Sequence, residues 1–286
     1  MYTAHSPKQT IEEVDSLMPT QKKISIIIPC HNEQHGIGKV LDSIPHEKLL
    51  HHGYTTQIIV IDNNSTDRTA AIAKKRGVKV IFEKKKGKGN AIKTGFMNVD
   101  RDASFVVMLD GDFTYSPKEM LRMIEPLESR VCVVVVGSRL GGKINHGSLK
   151  SANRLVNWGY TFLIRHMYSV NVTDVLSGYF AWRKEVVDHL IPHIESRGFS
   201  IEVDMITKIA LLGYQMYSVP ITYDVREGES KISAITDGLK ILGVLILNMV
   251  WRPNINASRR TIIVGTIKKP FVYLKNVFTP YERSKY

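Results

Sequence analysis

The chain alternates short, β-branched apolar runs with longer stretches whose apolar residues recur at helical spacing. "ISIIIP" (24–29), "QIIVID" (57–62), "VKVIF" (78–82) and "FVVMLD" (105–110) have the length and composition of buried strands. Helical patterns fill the intervals at about 36–44, 66–76 and 89–99, and another covers 117–127. Ser65-Thr66-Asp67 offers the second of these an N-cap and an acidic first turn, and Gly77 ends it. Further along, "VCVVVVGS" (131–138) predicts a buried strand, and 148–167, 184–191 and 201–213 predict helices. "QMYSVPITYDV" (215–225) predicts a strand with an edge or bulge proline. "AITDGLKILGVLILNMV" (234–250) reads as an apolar helix with little polar face. Strands and helices alternating at this spacing predict an α/β fold, a mostly parallel central sheet with helices on both faces.

Residues 1–21 are polar and aperiodic and read as a loose N-terminal extension. No repeat or low-complexity linker follows, so 22–233 is read as one domain and 234–286 as an appended segment. Cys30 and Cys132 fall in apolar runs, which suits buried thiols in a reducing compartment. No signal-peptide pattern opens the chain, and Ile241 to Trp251, the longest apolar stretch, is too short to span a bilayer. A cytoplasmic protein that does not cross the membrane is expected.

Charge adds a partner to this picture. The net charge is +12, and from Trp251 to Tyr286 eight Lys or Arg face one acidic residue, Glu282, a balance of +7. A second basic knot is "EKKKGKGNAIK" (83–93). Such runs suit nucleic acid, anionic lipid or a phosphorylated substrate. The basic clusters are not interleaved with stacking aromatics, and no nucleic-acid-binding signature is present, so nucleic acid is disfavoured.

The polar residues fall in four clusters, "PCHNE" (29–33), "DNNSTD" (62–67), "EKKKGKGN" (83–90) and "DGDFTYSP" (110–117). Each follows one of the first four strands, at the edge where open α/β sheets bind ligands. "KGKGN" would let backbone N–H groups and ammonium charges approach phosphate. Neither a Walker A loop nor a G-x-G-x-x-G after the first strand is present, which disfavours a dinucleotide fold. Asp110 and Asp112 at the end of the fourth strand suit a divalent metal, Mg²⁺ or Mn²⁺, shared with substrate phosphates. Glu202 and Asp204 fit either a helix N-terminus or a catalytic base. His46, His51 and His52 lack metal-ligand spacing and are expected in a solvated loop, and Tyr115, Tyr179 and Trp182 are expected to pack.

With these motifs in view, the chain resembles the inverting GT-A glycosyltransferases of family 2 from about Lys23 to Lys231. The resemblance is carried by "IIIPCHNE", "IIVIDNNSTD", "GKGNAIKTGF", "VVMLDGDFTY", "VVGSRLGG", "DVLSGYFAWRKE", "GFSIEVDMITKIALLGY" and "VPITYDVREGESK". The last three are similar to polyprenyl-phosphate sugar synthases, which include dolichyl-phosphate mannose, glucose and N-acetylglucosamine synthases. The resemblance implies a GT-A catalytic domain over 22–233 that moves a sugar from a nucleotide-diphospho-sugar to polyprenyl (dolichyl) phosphate. "DNNSTD" and "DGDFTY" look closer to the synthases that use UDP-glucose or UDP-N-acetylglucosamine than to those that use GDP-mannose. A transferase acting on a soluble or diphospholipid-linked glycan is the rival.

By the same resemblance Pro29, His31 and Glu33 would line the nucleotide, with Ile61, Asp62 and Asn63 near its base. Asp110 would face the ribose and metal, Gly111 the nucleotide backbone, and Asp112 would bind the metal. Arg139, Arg226 and Lys231 would hold the diphosphate or acceptor phosphate. Arg154 adds a cation for that acceptor, and Ser177 lies in a loop that matches the family and would contact the acceptor or sugar. Two departures stand out: Thr114 occupies a position where mannose synthases often carry a metal-ligating Gln, and no transmembrane pair follows the domain. The apolar helix at 234–250 and the basic residues after it would instead hold the enzyme on an anionic membrane surface, on its cytoplasmic face.

Overall fold

The computed structural model of the chain describes residues 21–227 and 234–252. Lys231, nearly all of the 1–21 extension and the basic run beyond Arg252 lie outside the described residues. One sheet contains β1 (Lys22–Cys30), β2 (Tyr54–Asp62), β3 (Lys79–Phe82), β4 (Ala103–Met108), β5 (Val134–Ile144), β6 (Phe180–Arg183) and β7 (Met216–Tyr223), in the order β3-β2-β1-β4-β6-β5-β7. Neighbours pair in parallel except around β6, which runs antiparallel to both β4 and β5.

The strand order explains where a ligand can enter. From β1 the chain steps outward through β2 to β3, then returns to place β4 on the other side of β1. The connections leave β1 and β4 in opposite directions, so a crevice opens at their carboxyl ends. The sheet is covered on both faces because its strands are apolar on both. Ile24, Ile26 and Ile28 join a core with α1 (Ile37–Asp42), α2 (His46–His51), α3 (Thr69–Lys75) and α5 (Met120–Glu128). Ile27, Ile59 and Val106 face α4 (Lys88–Met97), α6 (Ser151–Tyr168), α7 (Lys184–Leu190), α8 (Ile201–Leu211) and α9 (Ala234–Val250).

Several elements differ from the sequence pattern for local reasons. β6 carries only "FAWR", too short to show a period, yet Phe180 and Trp182 stack at 5.2 Å inside the core. α2 stands where a loop is expected, with His46 and His51 on its solvent side. β5 begins three residues later than its apolar run and continues to Ile144, because past a register shift it goes on pairing with β7. That β7 holds Pro220 at the sheet's edge, as the pattern requires. α3 begins at Thr69, since Asp67 accepts from the Thr69 N–H at 2.9 Å while Thr66 N–H is drawn away to Asn32 Oδ1 at 2.8 Å. Cys30 and Cys132 are free, buried thiols.

Candidate active site

The crevice contains a cavity of about 230 Å³ whose walls come from all four polar clusters that follow the first four strands. Of the expected nucleotide residues, Pro29, His31, Glu33, Asn63, Asp110 and Gly111 line it. Asn63 organises one side: its Nδ2 donates to Lys85 O at 2.7 Å and Glu83 O at 3.2 Å, and its Oδ1 accepts from Gly87 N at 2.7 Å. The loop after β2 thereby fixes the lysine-rich loop after β3. His31 Nδ1 meets Asn63 O at 2.9 Å, which turns the imidazole into the same wall. Asp62 lies just behind this wall and accepts from Ser65 N at 3.1 Å. Ile61 does not line the cavity. Its side chain is fully buried in the sheet core, as inward alternation along β2 dictates.

The two acidic residues of "DGD" each hold a cation. Lys88 Nζ lies 2.7 Å from Asp110 Oδ1 and 2.7 Å from Glu202 Oε1, so one ammonium bridges two carboxylates. Burial opposes the charge on Lys88, but Asp110 and Glu202 outweigh it and hold its pKa well above the usual lysine value. Burial pushes the Glu202 carboxyl upward, against the pull of Lys88. Asp112, almost wholly buried, accepts from Arg226 Nη2 at 2.7 Å through Oδ2, while Oδ1 accepts from Thr114 Oγ1 at 2.7 Å and Thr114 N at 3.1 Å. Between them Phe113 sits at φ 62°, a strained value for a bulky residue that costs on the order of 1–3 kcal/mol. Arg226 is placed by backbone pairing on both sides, Asp224 N to Thr114 O at 2.9 Å and Glu227 N to Asp112 O at 3.1 Å.

Asp110 and Asp112 present only oxygen ligands, the hard donors that Mg²⁺ or Mn²⁺ take, with phosphate oxygens to complete the shell. Among the described residues no group of three or more His, Cys, Asp or Glu forms a ready cage, so a cation here would depend on its substrate. Thr114 orients Asp112 by donating to it. The residues present therefore fit such an ion when a diphosphate is bound.

Other expected phosphate ligands are placed differently. Arg139 is buried, and one edge of its guanidinium is taken: Nε donates to Asp174 Oδ2 at 2.7 Å, and Nη2 to Asp174 Oδ1 at 2.8 Å and Leu176 O at 2.6 Å. Burial alone would raise the Asp174 pKa, but Arg139 outweighs it and holds the carboxyl below the usual range. Arg139 is thus a tie between β5 and the 174–176 loop, with Asn157 of α6 donating to the same carboxylate at 2.7 Å, and not an open cradle. Arg154 is exposed in the first turn of α6 and does not line the cavity. Ser177 is buried, its Oγ accepting from Tyr179 N at 3.2 Å. Tyr115, Tyr179 and Trp182 are core aromatics, as expected.

The acidic pair on α8 splits into two roles. Asp204 is a structural hub that meets Lys208 Nζ and Asn248 Nδ2 at 2.9 Å each and accepts from Glu195 N at 3.1 Å and Ser196 N at 2.9 Å. Glu202 instead faces Lys88. Lys88 and Phe199 were missing from the sequence-based candidates; the signal for Lys88 lay in "KGKGN", and nothing local marked Phe199 as a cavity residue.

The family described as glycosyl transferase family 2 matches residues 25–191. The chain is 30% identical over 237 residues to an undecaprenyl-phosphate mannosyltransferase of Micrococcus luteus, covering 78% of this chain and 92% of that one. It is 30% identical over 253 residues to a dolichol-phosphate mannosyltransferase of Pyrococcus furiosus, covering 85% and 68%. Among solved structures it is similar to glucosyl-3-phosphoglycerate synthase from Mycobacterium tuberculosis in complex with Mn²⁺, UDP and glucosyl-3-phosphoglycerate. The TM-score is 0.63 over 86% of each chain at 22% identity, a likeness of fold.

Proposed function

The chain belongs to glycosyl transferase family 2, and from that premise we propose that it moves a hexose or N-acetylhexosamine from a nucleotide-diphospho-sugar to polyprenyl (dolichyl) phosphate, for glycoprotein or surface-glycan assembly. One observation carries the choice of acceptor. Asp110, Asp112 and Glu202 are each bound to a cation, so none stands ready as a general base. A hydroxyl acceptor needs a base, whereas a monophosphate, with its second pKa near ~6, arrives largely as a dianion. The names of the bacterial and archaeal relatives, which act on undecaprenyl and dolichol phosphates, support the same reading.

In this mechanism His31 and Asn63 flank the nucleotide and Asp110 with Gly111 its ribose side. The acceptor phosphate oxygen attacks the anomeric carbon as the bond to the diphosphate breaks, with inversion. Arg226, with Lys231, offsets the charge that develops on the leaving diphosphate. Asp110 and Asp112 would hold a Mg²⁺ or Mn²⁺ ion, which would supply Lewis-acid relief of the charge on the diphosphate.

UDP-glucose or UDP-N-acetylglucosamine is the favoured donor on the strength of "DNNSTD" and "DGDFTY". GDP-mannose is the second reading, because relatives are named for mannose. The purified protein incubated with dolichyl phosphate and labelled UDP-glucose, UDP-N-acetylglucosamine or GDP-mannose is expected to label the lipid from a UDP-sugar. Transfer from GDP-mannose alone would overturn the donor assignment, and transfer to soluble glycans alone the acceptor.

Such an acceptor lies in a bilayer, and the molecule offers a surface for one. No helix among the described residues is long and apolar enough to cross a membrane. α9 docks one side in the core through Ile241 and Leu245, yet exposes Leu239, Leu242, Ile246, Leu247 and Val250 on the other. α6 lies alongside, Tyr160 OH donating to Gly238 O at 2.8 Å, and exposes Leu155, Trp158 and Phe162. We expect the protein to co-sediment with vesicles containing phosphatidylglycerol, less so at high salt, and Leu242→Ser with Ile246→Ser to weaken binding several-fold without lowering the melting temperature. Equal binding by the variant would discard this peripheral anchor.

A further inference from the structure

The sequence suggests that "KGKGN" cradles phosphate, but the structure places its second lysine where an anion is unwelcome. Lys88 Nζ is enclosed between Asp110 and Glu202, and the side chains of all three are less than one-fifth exposed. One ammonium and two carboxylates carry a net negative charge, so Lys88 itself offers a diphosphate no free positive charge, and a phosphate would bind near Asp110 only through a metal ion. The three groups suit a neutral polyol, since a hydroxyl both donates to a carboxylate and accepts from an ammonium. Lys88 has three N–H donors and spends two of them here, and each carboxylate has lone pairs to spare. Phe199, on the wall of the same cavity, adds an apolar surface for the C–H face of a ring.

The corner is also held rigidly. A Cβ on Gly89 would lie 2.0 Å from Ser196 O, so only glycine lets the start of α4 press against the 195–200 segment. Gly89 N donates to Arg197 O at 2.9 Å, and Asp204 ties down the Glu195 and Ser196 amides of that segment. Opposite, a Cβ on Gly178 would fall 2.2 Å from Asp110 Oδ2, so the 177–178 turn packs directly against that carboxylate.

We propose that Lys88 and Glu202, sharing Asp110, read the hydroxyl pattern of the sugar that is transferred. This rests on the nucleotide-sugar reading above and is independent of the acceptor. Isothermal titration without acceptor tests it, with UDP, UDP-glucose, UDP-N-acetylglucosamine, GDP and GDP-mannose as probes. Glu202→Gln, which is isosteric, and Lys88→Met should weaken binding of the sugar nucleotide that the wild type accepts by about tenfold or more, the scale of one hydrogen bond to a charged group. Binding of the matching bare nucleotide should fall clearly less, because the proposed contacts at Asn63, His31 and Gly111 are untouched and only Asp110, on the ribose side, loses a partner. Lys88→Arg should recover part of the loss, and melting temperatures establish that the variants fold. Equal losses for nucleotide and sugar nucleotide would overturn the proposal, as would donor affinity that both variants leave unchanged. Failure of the acceptor reading shows separately, as donor binding without a glycosylated lipid.

Discussion

Replacing Asp112 by Asn is expected to lower sugar transfer by on the order of 10²–10³-fold or more while the protein stays folded. Asp112 has two jobs in the crevice. Its Oδ2 anchors Arg226, and it is one of the two carboxylates that would hold a divalent cation against the donor diphosphate. Asn keeps the shape and still accepts from Thr114, so the strained turn at Phe113 survives. It removes the charge that both cations need. Activity should also vanish with EDTA and return with Mn²⁺ or Mg²⁺. A variant with near-normal rate, or a chelator-treated enzyme that still turns over, would remove Asp112 from the reaction.

Much of this was legible in the sequence because the relevant signals are local. Apolar runs of five or six residues ending in polar clusters located the ends of β1, β2, β3 and β4, and the parallel topology then brought those ends together. The position of "DGD" followed from strand length alone. What stayed hidden depends on contacts between residues distant in the chain. Arg139 and Asp174 are 35 positions apart, and only the fold shows that the arginine is paired from within. Glu202 and Asp204 look alike in "SIEVD", but two residues of helix are a rotation of about 200°, which sends the first toward Lys88 and the second toward Lys208 and Asn248. The 234–250 helix shows little polar face in sequence because both of its faces are apolar. One is covered by core and one is bare, and period alone does not tell them apart.

The second large effect separates the phosphate-acceptor mechanism from its base-dependent rival. Arg226→Ala is expected to cost about 10²-fold or more in kcat, the loss of one preorganised charge contact to the leaving diphosphate. Glu202→Gln should cost about tenfold, expressed mainly in the donor KM, because its partner is Lys88 and not the nucleophile. Asp204→Asn should act on the melting temperature first, since Asp204 is committed to a buried lysine and two backbone amides. With an acceptor that carries its own charge, the wild-type rate should fall below about pH 6 as the lipid phosphate gains its second proton. Glu202→Gln should keep that same profile. If Glu202→Gln lowered kcat as much as Arg226→Ala in a folded enzyme and also erased the acidic limb of the pH profile, a carboxylate would be activating the acceptor. The lipid monophosphate would then give way to a hydroxyl-bearing glycan.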